Sequence, residues 1–392
     1  MKSRHWLLLA AIFLAALNLR PALSSVSPVL GQIQSGLGLG RAVAGLLVTI
    51  PVLCMALFAP LSTLIESRLG RERMILGALV LIGVSTGFRF LDSAAALFGT
   101  ALFVGLGIAV AQTVLPGIIK ENFASRAALI TGLYTVGVNL GATLAASATV
   151  PLTGALESSG GSWRGALALW GLPAMLAVAA WLTPALRNGP RGGGDVVGFP
   201  LRSPRAWLVV GVFSVTALGY FSVLTWLAPL FQGAGISSAR SGILLSVTTG
   251  CQIVGALAVP AVAVRFTDRR PWLALVICAT TVGLLLVAFA PRAFAGAPYL
   301  WVVVLGLGQG GLFPLSLNLP LDNTASPEMA GRLTAMAFLF GYALAAAGPA
   351  AIGALRDATG GFTGPFAALA AISILQLLGV LRMTPGVDVE RP

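Results

Sequence analysis

The chain has 392 residues, of which 57% are hydrophobic and only 9% are charged. A soluble domain carries roughly 25% charged residues, and the mean hydropathy here is +0.94. This composition excludes an ordinary soluble protein and indicates a polytopic membrane protein embedded in the lipid bilayer. The formal net charge of +12 is explained by basic cytoplasmic loops that fix orientation, so we expect no nucleic-acid partner.

Charge clusters and Gly/Pro punctuation divide the chain into twelve apolar stretches, each long enough for a membrane-spanning helix. The first is interpreted as a retained span and not as a cleaved signal peptide. The polar segment 187–205 is typical of a flexible cytoplasmic linker. We predict an all-α membrane protein with two pseudo-symmetric six-helix bundles, 1–186 and 206–392. The predicted spans are 6–30, 42–65, 74–91, 95–119, 127–151, 164–186, 206–232, 239–264, 272–290, 298–321, 330–354 and 362–382.

The basic residues support an orientation with both termini in the cytoplasm. Most of the 24 Lys and Arg residues fall in segments that this topology places inside, as positively charged loops do in bacterial membranes. We therefore predict a multi-pass protein of the bacterial cytoplasmic (inner) membrane, acting as a monomer. The segments predicted to lie outside hold only Arg41, Arg164, Arg240, Arg292 and Arg356.

The two halves of the sequence resemble each other. "SRLGRERMIL" after span two matches "VRFTDRRPWL" after span eight, so that Arg68 corresponds to Arg265. "GLGIAVAQ" at Gly105 in span four matches "GLGQGGLF" at Gly306 in span ten. Two related sets of six spans predict two bundles around a site near the bilayer midplane, as in many secondary transporters.

The six-plus-six arrangement, with basic turns after spans two and eight, resembles the major facilitator superfamily. Within it, "NLRPALSSVSPVL", "GLLVTIPVLCMALFAP" and "ITGLYT" resemble the cyanate and 2-nitroimidazole transporter subfamily. The resemblance covers nearly the whole chain and implies transport of a small molecule by alternating access.

The resemblance also implies a conformational gate in the turns after spans two and eight. In the superfamily an acidic residue of this turn contacts a helix end and locks one conformation. Here Ser67 stands at that place and Glu66 lies one residue earlier, about 100° away around the helix. The implied gate residues are Glu66, Arg68, Gly70, Arg71, Arg265, Asp268 and Arg269.

Arg20 is the main candidate for substrate binding. It lies about 15 residues into span one, roughly 22 Å along a hydrocarbon core about 30 Å thick. A charge there costs about 2.5–3.5 kcal/mol on insertion scales, and the acidic residues fall in loops or at span ends. The substrate is then the missing partner and should be an anion, with Asn18 nearby and Pro21 freeing a backbone carbonyl. The alternative is that Arg20 snorkels to the outer interface and the span ends near Pro21.

Other polar or aromatic side chains inside spans are further candidates. Arg89 either pairs with Asp92 three residues on or lies at the entrance of the site. Trp226 offers a flat wall for a planar ligand, or anchors at the interface. An intramembrane amide or hydroxyl also often bonds a neighbouring helix. The remaining candidates are Gln112, Tyr134, Thr135, Asn139, Gln309 and Asn318.

The sequence favours a transporter over an enzyme. It has no Gly-rich phosphate loop and its three cysteines lack metal-ligand spacing, so we expect no catalytic residue, cofactor or metal. The leading hypothesis is a secondary active or facilitative transporter of a small anion or weak acid such as cyanate. The alternative is an exporter of small planar compounds such as 2-nitroimidazoles or drugs. A sensor that binds its ligand without transport is a third possibility.

Overall fold

The computed structural model describes residues 2–123, 127–157, 162–187, 199–266, 268–324 and 327–383. Within these ranges the regular structure is entirely helical. Twelve stretches of helix are long and apolar enough to cross a membrane. The predicted all-α membrane fold is therefore confirmed.

Packing divides the chain into two units. The first comprises Met1–Leu39 and Leu46–Val196, and the second comprises Gly40–Gly45 and Val197–Pro392. The domain limits at 186 and 206 stay a prediction, because residues 188–198 lie outside the described ranges.

The first span belongs to the first unit and consists of several short helical segments. The helices up to residue 187 are α1 (Lys2–Leu17), α2 (Pro21–Ser24), α3 (Leu30–Leu37), α4 (Arg41–Leu69), α5 (Arg71–Gly87), α6 (Ala94–Asn122), α7 (Ala127–Glu157), α8 (Trp163–Leu169) and α9 (Gly171–Arg187), with 3-10 turns at Ser27–Val29 and Phe88–Phe90. Both α1 and α2 pack against α7, and α5 packs between α6 and α9.

The second unit has six long helices, each of which forms one span. They are α10 (Pro204–Gly233), α11 (Ser238–Ala263), α12 (Arg270–Phe289), α13 (Ala297–Asp322), α14 (Pro327–Thr359) and α15 (Thr363–Leu381). Here α10 packs against α14, and α12 packs between α13 and α15. The helix pairing thus repeats that of the first unit.

Two matched glycines show that the repeat extends to close packing. A Cβ built on Gly105 of α6 would lie 3.1 Å from Cys54 Cβ, and one on Gly306 of α13 would lie 2.8 Å from Cys251 Cβ. In each case backbone of the same partner helix comes within 2.5 Å of the added carbon. Only glycine allows this approach, so the sequence match between spans four and ten reflects the same helix crossing in both units.

Candidate functional site

The first span breaks immediately after Leu17. The N–H group of Asn18 donates to the Ala15 carbonyl and that of Leu19 to the Ala16 carbonyl, at 3.1 Å each, so the last turn of α1 is tightened to the 3-10 pattern. Pro21 begins α2 and has no N–H to donate to the Leu17 carbonyl four residues earlier. A Cβ on Gly141 of α7 would overlap that carbonyl oxygen. The glycine therefore gives the broken backbone room to lie directly against α7.

Asn18 ties this break to α9. The residue is 2% exposed, and its Nδ2 donates to the carbonyls of Leu14 at 2.8 Å and Pro173 at 3.2 Å. Its Oδ1 has no hydrogen-bond partner among the described residues. The amide nitrogen of Asn18 thus links α1 to α9, while its buried amide oxygen has no described donor.

Arg20 follows at the start of α2 and is 4% exposed. Its carbonyl accepts the N–H groups of Leu23 at 2.9 Å and Ser24 at 3.0 Å, and the Ser24 hydroxyl at 3.1 Å. The backbone of Arg20 is therefore fixed by the helix that it begins. Its burial argues against an arginine that snorkels to the interface, because such a side chain would be accessible at its tip.

Arg89, in the 3-10 turn after α5, is 2% exposed. Its Nη1 donates to the carbonyl of Ala22 at 2.7 Å, and its Nε has no hydrogen-bond partner in the described chain. Asp92 does not neutralise it, because that carboxylate pairs with Arg164. Arg89 thus reaches the backbone two residues beyond Arg20, and both predicted cations belong to the corner of the first unit where span one is broken.

The polar side chains predicted on α7 bond within their own helix. Thr135 Oγ1 donates to the Thr131 carbonyl at 3.0 Å, and Asn139 Nδ2 donates to the Thr135 carbonyl at 3.1 Å. Tyr134 on α7 and Gln112 on α6 are half-buried. The structure therefore gives Thr135 and Asn139 a local hydrogen-bonding role, and their part in substrate binding stays a prediction.

The second unit contains a small polar cavity between α10, α12, α13 and α15. Gln309 is the only one of its lining residues that the sequence singled out as a site residue. Gln376 was missed, although a lone amide in span twelve was a visible signal; its Nε2 donates to the Val212 carbonyl at 2.9 Å and to Thr216 Oγ1 at 2.8 Å. The lining residues are Val215, Thr216, Gly219, Tyr220, Thr280, Gln309, Leu312, Phe313, Ser373 and Gln376.

Trp226 and Asn318 lie apart from this cavity lining. Trp226 is fully buried, its Nε1 donates to the Pro349 carbonyl at 2.7 Å, and its ring lies 5.7 Å from that of Phe362 between centroids. The indole is thus packed against α14 and Phe362. These contacts do not support a role for Trp226 as a flat wall for a ligand. Asn318 is half-buried near the end of α13.

The residues implied for the gate form a left-handed turn and charged pairs. Gly70 has a φ of 79° and precedes α5, a conformation that favours glycine. Arg71 pairs with Glu121 at 3.1 Å, and Arg269 pairs with Asp322 at 2.8 Å. Each pair joins the start of one span to the end of the next within a single unit. Arg265 is exposed, and the side chains of Glu66 and Arg68 lie outside the described residues.

Two carboxylates near the α11–α12 turn have shifted pKa values, in opposite directions. Hydrogen bonds from Arg270 lower the pKa of Asp268. Partial burial raises the pKa of Asp322, and Arg269 offsets this only in part. Among the described residues there is no group of three or more His, Cys, Asp or Glu that could hold a metal ion.

Comparison with known proteins agrees with this architecture. The family model of the Major Facilitator Superfamily matches residues 8–349. The structure is also similar to that of a D-xylose–proton symporter, with a TM-score of 0.77 and 14% sequence identity, covering 99% of each chain. At that identity the likeness concerns the fold alone.

Sequence relatives extend over nearly the full length. The chain is 34% identical to the cyanate transport protein CynX of Escherichia coli (strain K12), covering 96% of this chain and 97% of the relative. It is 31% identical to the 2-nitroimidazole transporter of the same organism, covering 98% and 96%. With a dozen membrane-length helices in its described part, this chain belongs to the Major Facilitator Superfamily of membrane transporters.

Proposed function

We propose that the protein is a secondary transporter that moves a small anion or weak acid, such as cyanate, across the bacterial cytoplasmic membrane by alternating access. It acts as a monomer with both termini in the cytoplasm. The observation that carries the proposal is Arg89, a guanidinium that is 2% exposed and whose one hydrogen bond within the described residues is to the backbone carbonyl of Ala22.

A neutral carbonyl does not compensate the positive charge of a buried guanidinium, whereas an anion does. Removing a cation from water costs several kcal/mol unless a counter-charge and hydrogen bonds replace the lost hydration. No described acidic side chain forms an ion pair with Arg89, and the nearest in sequence, Asp92, is held by Arg164. An anionic substrate supplies both the charge and an acceptor for Nε.

Arg20 and Asn18 complete the proposed site. Ala22, whose carbonyl accepts the hydrogen bond from Arg89, is two residues after Arg20. The guanidinium of Arg89 thus reaches the segment that Arg20 begins. A guanidinium presents a planar fork of donors suited to carboxylate-like or linear anions. The relative named for cyanate transport, which is 34% identical, favours an anion of this size.

The second candidate is an exporter of small planar compounds, favoured by the relative named for 2-nitroimidazole transport. In that function the aromatic and amide side chains would matter more than the arginines. The packing of Trp226 against Pro349 and Phe362 weakens it. The anion transporter therefore remains the better-supported proposal.

Counterflow in proteoliposomes tests the two against each other. Purified protein would be assayed with a panel of small anions, including cyanate, and with neutral nitroimidazoles. We expect exchange of anions in the native protein and its loss in Arg89→Gln. Arg164→Gln is the matched control, because that arginine lies in the same unit but pairs with an exposed carboxylate. Exchange of nitroimidazoles alone, or unchanged anion exchange in Arg89→Gln, would overturn the proposal.

A further inference from the structure

The polar cavity of the second unit is independent of the arginine site and has its own unmet hydrogen-bonding groups. Gln252 of α11 donates from Nε2 to Oε1 of Gln309 at 3.1 Å. Both residues are at most 5% exposed. Gln252 Oε1 and Gln309 Nε2 have no hydrogen-bond partner among the described residues. If both amide groups were rotated by half a turn, Gln309 would donate to Gln252 instead, and one polar atom of each glutamine would still have no hydrogen-bond partner among the described residues.

The leftover atom of Gln309 faces the cavity. A Cβ built on Gly219, which lines the cavity from α10, would lie 3.9 Å from Gln309 Nε2. A glycine at this place leaves the amide accessible from the cavity. Because a buried amide without a partner costs about 1–3 kcal/mol, this geometry calls for a ligand that accepts a hydrogen bond.

The other lining groups restrict the charge of that ligand. The hydroxyls of Thr216 and Thr280 already donate to the carbonyls of their own helices, at 2.8 Å each, so they offer only lone pairs. Tyr220 and Ser373 add hydroxyls that can donate or accept, and the lining contains neither a basic side chain nor a carboxylate, which disfavours an anion and a cation alike. The site fits a neutral molecule that both donates and accepts hydrogen bonds.

The volume restricts the size. The cavity measures about 10 Å³, and a single water needs about 10–15 Å³ on this scale. A five-membered ring such as an imidazole does not fit. Among neutral molecules that donate and accept hydrogen bonds, only water is this small.

The first unit shows that the fold does not need this polar pair. By the internal repeat, Gln309 corresponds to Ile108 and Gln252 to Met55, and both of these apolar residues are buried. The same helix crossing is thus packed with hydrocarbon in one unit and with two amides in the other. We propose that the second unit contains a specific buried water site, centred on Gln309 Nε2 and completed by the hydroxyl and amide acceptors of α10, α12 and α15.

Radiolytic hydroxyl labelling of the full chain in lipid nanodiscs tests this site, because buried water generates label on the side chains that touch it. Leu312 lines the cavity and Leu315 does not, although both are 3% exposed and lie on α13. We expect label on Leu312 well above that on Leu315. In the Gln252→Met/Gln309→Ile double variant, which installs the pair of the first unit, label on Leu312 should fall to the level of Leu315. Equal labelling in the native protein, or unchanged labelling in a folded double variant, would overturn the proposal.

Thermal melting gives a second measure. Gln309→Ile alone leaves the buried amide of Gln252 without its hydrogen-bond acceptor. Its melting temperature should therefore be lower than that of the double variant, which removes both amides. A single variant that melts at or above the double variant would also count against the site. If the double variant does not fold, the comparison of Leu312 with Leu315 in the native protein decides the question.

Discussion

The first spans of the two units differ in both continuity and charge. In the second unit, α10 runs unbroken over Pro204–Gly233 and carries no charged residue beyond its first turn. Three of its buried hydroxyls, those of Ser214, Thr216 and Thr225, donate to carbonyls of the same helix at 2.6–2.8 Å. In the first unit, α1 stops at Leu17 and a buried arginine precedes the next segment.

The break in span one is not required by the fold. The helix pairing repeats between the units, and α10 accommodates Pro229 and several hydroxyls without interruption. Placing an arginine directly before a proline instead opens the backbone at Leu17 and fixes a cation beside the opening. Since the same helix pairing occurs with a broken and with a continuous first span, the broken and charged form is where we expect substitutions to affect transport more than folding.

The largest expected effect is on anion binding. Arg20→Lys keeps the charge but loses the planar fork, so anion affinity should fall; Arg20→Gln loses the charge as well and should bind more weakly still. A charge-assisted hydrogen bond contributes about 1.5–3 kcal/mol, which is roughly tenfold to a hundredfold in affinity. Cyanate binding to purified variants is the measurement, with melting temperature as the check on folding.

An arginine of the second unit provides the matched control for Arg20. Arg240 is exposed and lies over the Tyr299 ring at 5.4 Å, so Arg240→Gln should bind cyanate as the native protein does. Near-normal affinity in a stable Arg20→Gln protein would give Arg20 a structural role. The difference between the two units would then concern packing alone.

The next effect is on the crossing between the broken span and α7. Gly141→Ala would place a Cβ against the backbone carbonyl of Leu17, whereas Gly348→Ala on α14 would meet the side-chain Oγ of Ser222 at 2.5 Å. A backbone group cannot rotate away but a hydroxyl can, so Gly141→Ala should lower the melting temperature more. Overpacking of this kind costs about 1–3 kcal/mol, while the gain in helix propensity is the same at both sites. If both alanine variants lowered the melting temperature equally, the backbone at Leu17 would have to move aside as easily as the Ser222 hydroxyl.

Much of the fold follows from composition and hydropathy alone. A bilayer requires apolar helices of a set length, so all twelve spans could be located and most of their limits placed to within a few residues. The ends of spans one, two and five differ by six or seven residues. The break after Leu17 and the second interruption at Trp170, between α8 and α9, are not visible in a hydropathy average. At both places the chain contacts α7, through the close approach of Gly141 to the Leu17 carbonyl and through the hydrogen bond from Trp170 Nε1 to Thr149 Oγ1 at 3.0 Å, and such contacts are a tertiary property.

The candidate site was accessible from sequence only where a single residue type carried the signal. A buried arginine in an apolar span attracts attention on cost alone, which is how Arg20 and Arg89 were found. The partner of Arg89 was not predictable, because its Nη1 donates to the Ala22 carbonyl of span one, whereas Asp92, three residues on, pairs with Arg164 of a later helix. The sequence also did not reveal that Trp226 Nε1 donates to the Pro349 carbonyl at 2.7 Å, and a role for its indole as a ligand wall stays a prediction.

The smallest expected effect concerns the charged turns, where the second unit has two carboxylates with opposite pKa shifts. Hydrogen bonds from Arg270 lower the pKa of Asp268 below its ordinary value of 3.8, so this pair stabilises the folded state above that pH and loses its contribution as the pH falls. Burial raises the pKa of Asp322 above the same value. Ionised Asp322 therefore works against folding, and stability from this group grows as the pH falls through its raised pKa.

Asn substitutions separate these two signs. At about pH 7, Asp268→Asn should lower the melting temperature slightly, while Asp322→Asn should leave it unchanged or raise it, each by less than about 1 kcal/mol as for other surface pairs. As the pH falls, the difference for Asp322→Asn should shrink already above 3.8, because the pKa of Asp322 is raised, and the difference for Asp268→Asn should shrink only below 3.8, because the pKa of Asp268 is lowered. In the first unit, Glu121→Gln removes the carboxylate partner of Arg71 and is the matched comparison. If Asp322→Asn destabilised the protein at neutral pH as much as Asp268→Asn, the ion pair with Arg269 would contribute more than burial costs. The Arg269–Asp322 pair would then stabilise its unit, as we expect of the Arg71–Glu121 pair in the first unit.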